Sequence, residues 1–483
     1  MTTRARVLPV LPTMLLLILA ACTAPQSSGA APSPTPPSPA TSSPATSSPA
    51  TSSPATQAPE GFPPAPPVTD GALDPAVSRA LDDLADGVTT VGLDGAALDT
   101  VAASGDARLA WFVSDLLRFL QGRDADALVG AFEQLTGVDP REDPSTTQSA
   151  WVSVTDHLIA WDLPAAPGYR ELKAELFLNV EPGWAPFFAD ADSLIDWRLV
   201  SWGGVLIDDR PAGDQQSCLR GCIPALDDPP LTDAVGGSWY PDEAIVFGAV
   251  VGSEAVAFPK NIMQVHEMVN LTIGGRRLGL PYCTLCGSAQ AYVIGEELTL
   301  RTSGLLSRSN KVMYDLNTRS VFDTFTGRAL SGPLQDADVQ LEQISVVAST
   351  WGEWKQAHPD TSILAEDGGI GRQYPADPLQ GRDDDGPIFP IGPADPRLPV
   401  QAAVVGVVVP DGAPLAFPVD QARAALAEGR PVTLGDVELR ADAGGLRAYL
   451  PGGEEVPAHE AFWFAWSQFH PTTQLWSPVG QQE

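Results

Sequence analysis

Two stretches of the chain echo each other in the same order, and that repetition constrains the fold more than any other feature. Val246-Phe247-Gly248 followed by Ala257-Phe258-Pro259 matches Val405-Gly406 followed by Ala416-Phe417-Pro418. Each copy reads as strand, Gly-bearing turn, strand and proline. Further on, Trp354-Lys355-Gln356-Ala357-His358-Pro359-Asp360-Thr361 matches Trp466-Ser467-Gln468-Phe469-His470-Pro471-Thr472-Thr473. In both, a short amphipathic helix stops before His-Pro, because a residue ahead of proline disfavours the α region. The shared order favours duplication over chance. It places the repeat halves at about 240–364 and 403–476. His358 and His470 hold equivalent places in the two copies and read as capping residues rather than ligands.

The N-terminus reads as a targeting signal. Arg4 and Arg6 precede an apolar run from Leu8 to Ala21, of signal-peptide length and too short for a membrane span. The run ends Leu19-Ala20-Ala21-Cys22, which resembles a bacterial lipobox. Residues 1–21 are therefore expected to be removed, and Cys22 to be lipidated. That would hold the mature protein on the extracytoplasmic side of the cell membrane through an N-terminal lipid. Residues 22–70 are Pro, Ser, Thr and Ala with few large apolar side chains, and Ala-Thr-Ser-Ser-Pro occurs three times between Ala40 and Pro54. Such a segment buries too little surface to fold and reads as a tether.

From 71 to 165 the hydrophobic period is helical. Asp74-Pro75 reads as an N-cap and a first-turn proline. Leu109, Phe112, Val113, Leu116, Leu117 and Leu120 follow the i, i+3, i+4 rule, and Leu128, Phe132 and Leu135 mark the next helix. Arg108, Asp115 and Arg118 read as solvated helix charges, and His157 as a structural histidine. Beyond Pro164 short β-branched runs alternate with Pro and Trp. The expected class is α+β: a small helical domain, then a β-rich domain over 166–478 with the internal duplication. The helical domain is the candidate surface for a protein partner.

The chemistry concentrates in the first copy. Leu278 to Tyr292 reads LGLPYCTLCGSAQAY, with Cys283 and Cys286 as a Cys-x-x-Cys pair and Gly287 directly after. The flanks read as short strands, which sets the pair on a turn. That suits a metal knuckle, in which glycine lets backbone amides curl toward thiolates. A disulfide and a redox-active dithiol remain open, although a thioredoxin-type site would need a helix after the pair. Cys218 and Cys222 supply a disulfide or extra ligands. His266 and Met313 complete a soft donor set with Cys283 and Cys286, suited to Cu or Zn. Glu267 and Asp315 read as acceptors behind those donors. The triple Asp383-Asp384-Asp385 lacks calcium-loop spacing. No Ser–His–Asp arrangement, phosphate loop or zinc-protease motif is present.

These motifs carry a resemblance. The run His266-Glu267, Val269-Asn270, Tyr282-Cys283-Thr284-Leu285-Cys286-Gly287-Ser288, Gly304-Leu305-Leu306, Ser309-Asn310 and Val312-Met313-Tyr314-Asp315 is similar to the bacterial exported family designated domain of unknown function 3179. Gly327, Gly332-Pro333, Thr350-Trp351-Gly352-Glu353-Trp354 and His358-Pro359-Asp360-Thr361 extend it, over about 210–476. The family pattern has Ser-x-Trp where this chain has Ser320-Val321-Phe322, and Gln where it has Thr324. The resemblance implies export and domain identity, not a reaction.

Charge narrows the partners. With 60 acidic against 28 basic residues the formal charge is −32, which argues against nucleic acid, whose phosphates reward Lys and Arg. Two function classes lead, with an enzyme using an unrecognised acid or base as a third. One is an extracytoplasmic lipoprotein that binds a soft metal or does thiol chemistry at Cys283 and Cys286. The other is a non-catalytic, disulfide-stapled surface protein that binds or scaffolds a partner.

Overall fold

The computed structural model describes residues 59–88, 92–141, 149–214, 218–382, 386–409, 412–442 and 444–478. The signal, Cys22, the tether up to residue 58 and Asp383-Asp384-Asp385 lie outside the described residues. No helix among the described residues is long and apolar enough to cross a membrane.

Helices occupy Pro75–Gly87, Gly95–Ala103, Ala110–Phe119, Arg123–Thr136, Ala150–Ala160, Tyr169–Val180 and Ala185–Ala189. Asp74 caps the first by accepting the Ala76 N–H at 2.7 Å. Gly137, at φ 76°, closes the fourth. The apolar stripe of Phe112, Val113, Leu116 and Leu117 is buried as its spacing predicts. The same core continues through Val200, Leu305, Val312, Tyr314 and Val321, so the helices cover a β-sheet rather than standing apart.

That cover changes the reading of three charges. Arg108 and Asp115 are buried, not solvated. Arg108 grips Asp106 at 2.6 Å. Asp115 accepts Lys173 Nζ at 2.8 Å and the Tyr169 hydroxyl at 2.7 Å. Arg118 stacks over Trp151 and Trp202 and donates to the Trp202 carbonyl at 2.7 Å. The hydrogen-bond partners of Asp115 and Arg118 lie 54 to 84 residues away, beyond the reach of a local helical pattern.

The expected α+β class with one two-halved β domain is corrected by the sheets. Strands fall into five small sheets of 4, 6, 5, 4 and 4 strands, set like the blades of a β-propeller behind the helical N-terminal region. Two echoing motifs fill only part of two sheets and cannot specify the other three.

At the echoes the local geometry is closely matched. Val246 pairs with Pro259 and Gly248 with Ala257; Val404 pairs with Pro418 and Gly406 with Ala416. A Cβ on Gly248 would lie 2.2 Å from the Trp354 ring, and one on Gly406 2.1 Å from Trp466. Each indole N–H donates to a threonine hydroxyl seven residues on, Thr361 or Thr473, at 2.9 Å. His358 and His470 each pack at a tilt against the tryptophan four residues earlier, with ring centroids 4.3 and 4.2 Å apart.

Candidate functional site

The site is built where the Arg276–Cys283 strand turns. Its last residue, Cys283, pairs with Ser288 across a tight turn that carries Cys286. Gly287 completes the turn at φ 58°, a conformation that favours glycine, and Phe462 lies 2.9 Å from where its Cβ would be. The neighbouring Asn310–Asp315 strand supplies the other wall. The Lys311 N–H donates to Cys283 Sγ at 3.4 Å, and both thiols approach the Ser309 carbonyl, at 3.8 and 3.5 Å.

Cys283 and Cys286 are free, buried thiols, 2% and 0% exposed. Burial pushes both thiols up. At Cys283 that is outweighed by hydrogen bonds from the Cys286 thiol and the Lys311 amide, so its pKa falls below the usual cysteine range. Cys286 rises well above it, through burial and then its bond and proximity to Cys283. The two sulfurs are thus shifted in opposite directions.

A buried ion pair stands beside them. The short Lys260–His266 helix ends at Glu267, whose φ of 52° is left-handed. This bend aims the Glu267 carbonyl at two donors, the Tyr282 N–H at 2.9 Å and Lys311 Nζ at 2.5 Å. Lys311 Nζ also reaches Thr302 Oγ1 at 3.2 Å and lies 3.7 Å from Glu267 Oε2. Thr284, inside the cysteine turn, donates to Glu267 Oε1 at 3.0 Å. Burial raises the Glu267 carboxyl, against the pull of Lys311 and Thr284. Burial lowers the Lys311 ammonium, against Glu267 and Cys283. Both shifts move the pair toward sharing a proton.

Cys283, Glu267 and Lys311 line a cavity of about 390 Å³. Most of its remaining wall is apolar, including Val205, Ile223, Leu285, Leu305, Leu306 and Phe389. Glu267 stood out in the sequence only as an acceptor behind the metal donors, and Lys311 not at all. The Asn310–Asp315 strand is buried on both faces, so no alternation sets Lys311 apart from Val312 and Met313. A charged residue within such a strand is the one signal available.

The other sequence candidates go elsewhere. His266 Nδ1 donates to the Pro224 carbonyl at 2.6 Å, and Nε2 accepts the Tyr374 hydroxyl at 2.7 Å. Burial brings its pKa down to about 4, with Arg372 and Arg210 adding to the fall and the Pro224 bond opposing it. Both ring nitrogens are therefore engaged, and the neutral ring has no lone pair to offer a metal. Met313 packs among Met268, Tyr292, Leu300 and Phe322, in a different core cluster from the cysteines. Asp315 accepts the Thr299 and Thr318 amides at 2.8 and 2.7 Å. Cys218 and Cys222 form a disulfide with each other. Among the described residues, no group of three or more His, Cys, Asp and Glu side chains is placed to hold a metal ion.

A second buried network lies behind His266. Arg301 donates to Asp227 at 2.6 and 2.8 Å, and Asn270 ties Asp227 to the Leu300 carbonyl. Arg210 grips Asp208 at 2.6 Å. Arg301 Nε lies 3.6 Å from Asp208 Oδ2 without a hydrogen bond, and none of these side chains lines the cavity. At the positions where the family pattern differs, Phe322 is fully buried and the Thr324 hydroxyl donates to the Lys311 carbonyl at 2.7 Å.

No curated protein and no solved structure matches the chain. Residues 220–450, which carry the cysteine turn, Glu267 and Lys311, match the family described as Protein of unknown function (DUF3179), the family whose motifs the sequence carries.

Proposed function

We propose that the protein is an extracytoplasmic lipoprotein whose Cys283 and Cys286 cycle between dithiol and disulfide. Cys283 is the attacking sulfur, and Cys286 the one that closes the bridge. The observation that carries this reading is the geometry of the pair: two free thiols on one tight turn, of which only Cys283 lines the cavity and accepts the Lys311 N–H, at 3.4 Å. A thiolate is the nucleophile in such exchange, and the neighbouring thiol completes the two-electron step. The Glu267–Lys311 pair lies where it can take up and return the protons that the cycle moves. The Cys218–Cys222 bridge is read as a local staple with no part in the cycle.

The test is peptide mapping by mass spectrometry after treatment of the reduced chain with diamide, then with dithiothreitol. A Cys283–Cys286 bridge that forms and reopens supports the reading. A pair that stays as two thiols under diamide removes it.

A further inference from the structure

Resting on the thiol-cycle reading, we propose that the oxidant at Cys283 is a small organic hydroperoxide with an apolar body, admitted through the cavity that Leu305, Leu306 and Phe389 help to wall. Access is the first argument. Cys283 is 2% exposed, so the disulfide of a folded protein has no approach to its sulfur. What reaches it must enter a space of about 390 Å³, the size of a small-molecule site. The wall is the second argument. An apolar wall rewards each methylene that leaves water and gives hydrogen peroxide no such gain.

The third argument is the leaving group. A thiolate leaves a disulfide without help near neutral pH. An alkoxide is far more basic and needs a proton as it departs. Beside Cys283 the cavity carries such a source: Lys311, bonded to the Glu267 carbonyl and to Thr302, with the Glu267 carboxyl 3.7 Å away. The Cys283 thiolate attacks the terminal peroxide oxygen and the O–O bond breaks. The alkoxide takes a proton from Lys311 and leaves as an alcohol. The Cys283 sulfenic acid then meets the Cys286 thiol; the S–S bond forms, the S–O bond breaks, and water departs. Two thiols and one hydroperoxide thus give a disulfide, an alcohol and water, and an external thiol reductant reopens the bridge.

The experiment follows bridge formation in the reduced full chain by peptide mapping, with cumene hydroperoxide, hydrogen peroxide, oxidised glutathione and diamide in parallel. The expected result is a second-order rate with cumene hydroperoxide about tenfold or more above those with hydrogen peroxide and oxidised glutathione. Ile388 sits at the cavity rim and is 42% exposed, so Ile388→Trp should fold normally. It should bring the ratio of cumene hydroperoxide to hydrogen peroxide down toward one. If diamide closes the bridge but hydrogen peroxide or oxidised glutathione does so as fast as cumene hydroperoxide, the substrate class is wrong and the thiol cycle stands. If diamide closes nothing, the thiol cycle itself fails, and this inference with it.

Discussion

The two thiols at the turn differ by one hydrogen bond and one neighbour, and those small differences assign their roles. Cys283 receives the Lys311 N–H and sits on the cavity; Cys286 lies behind it with no exposure. Alkylation by iodoacetamide should therefore mark Cys283 first. Its rate should rise with pH through an inflection below the ordinary cysteine value of about 8.5, while Cys286 stays unmarked; equal labelling of both would contradict the split. His266 offers a second residue-level test, through stability. Its pKa is about 4 folded against about 6.5 unfolded. Between those values the unfolded chain binds more protons, so stability falls as pH drops from about 6.5 toward 4 and levels off below. The full contribution is about 3 kcal/mol. In His266→Gln the fall in Tm over that window should be shallower than in the wild type; an identical slope would show that the ring titrates normally. The sequence made His266 visible as a residue type but not its two hydrogen-bond partners, Pro224 and Tyr374, which lie 42 and 108 positions away. Those partners turned a candidate ligand into a core histidine.

At the scale of elements, the echoing hairpins were the most legible part of the chain, because a glycine and a tryptophan recur at matching places. Their meaning is steric: each indole lies flat on the glycine across its own sheet, leaving no room for a methyl group. Gly248→Ala and Gly406→Ala should each cost about 3 kcal/mol, read by urea denaturation. Gly130→Ala is the control. It lies inside the Arg123–Thr136 helix with nothing within 4 Å of its Cβ position and should stabilise by about 0.5–1 kcal/mol. Similar effects at all three positions would contradict the packing argument. The helical stripes were equally legible, since a period of 3.6 depends on the segment alone. The charges beneath them were not, because Asp115 meets Lys173 only after two distant helices pack. Lys311 was hidden for the opposite reason: a strand buried on both faces has no pattern to break.

The whole molecule assembles its site from parts far apart in sequence. The cavity draws on Gly203 and Val205, on Glu267, on the cysteine turn, on Lys311, and on Leu379, Arg382, Ile388 and Phe389. Two short motifs could not foretell five sheets, so the class read from them needed correction while the cysteine turn did not. Placement in the cell belongs to this scale too. If Cys22 is lipidated, the wild type should partition with the membrane fraction and Cys22→Ala should not; a fully soluble wild type that retains Met1 would end the lipoprotein reading. The redox claim has its own decisive measurement, equilibration of the full chain in dithiothreitol buffers of graded potential, with each cysteine peptide weighed. The account predicts a reversible two-electron transition confined to Cys283 and Cys286, with a tenfold change in the disulfide-to-dithiol ratio for about every 30 mV. Two thiols that persist at every potential, or a bridge from either of them to Cys218 or Cys222, would contradict it.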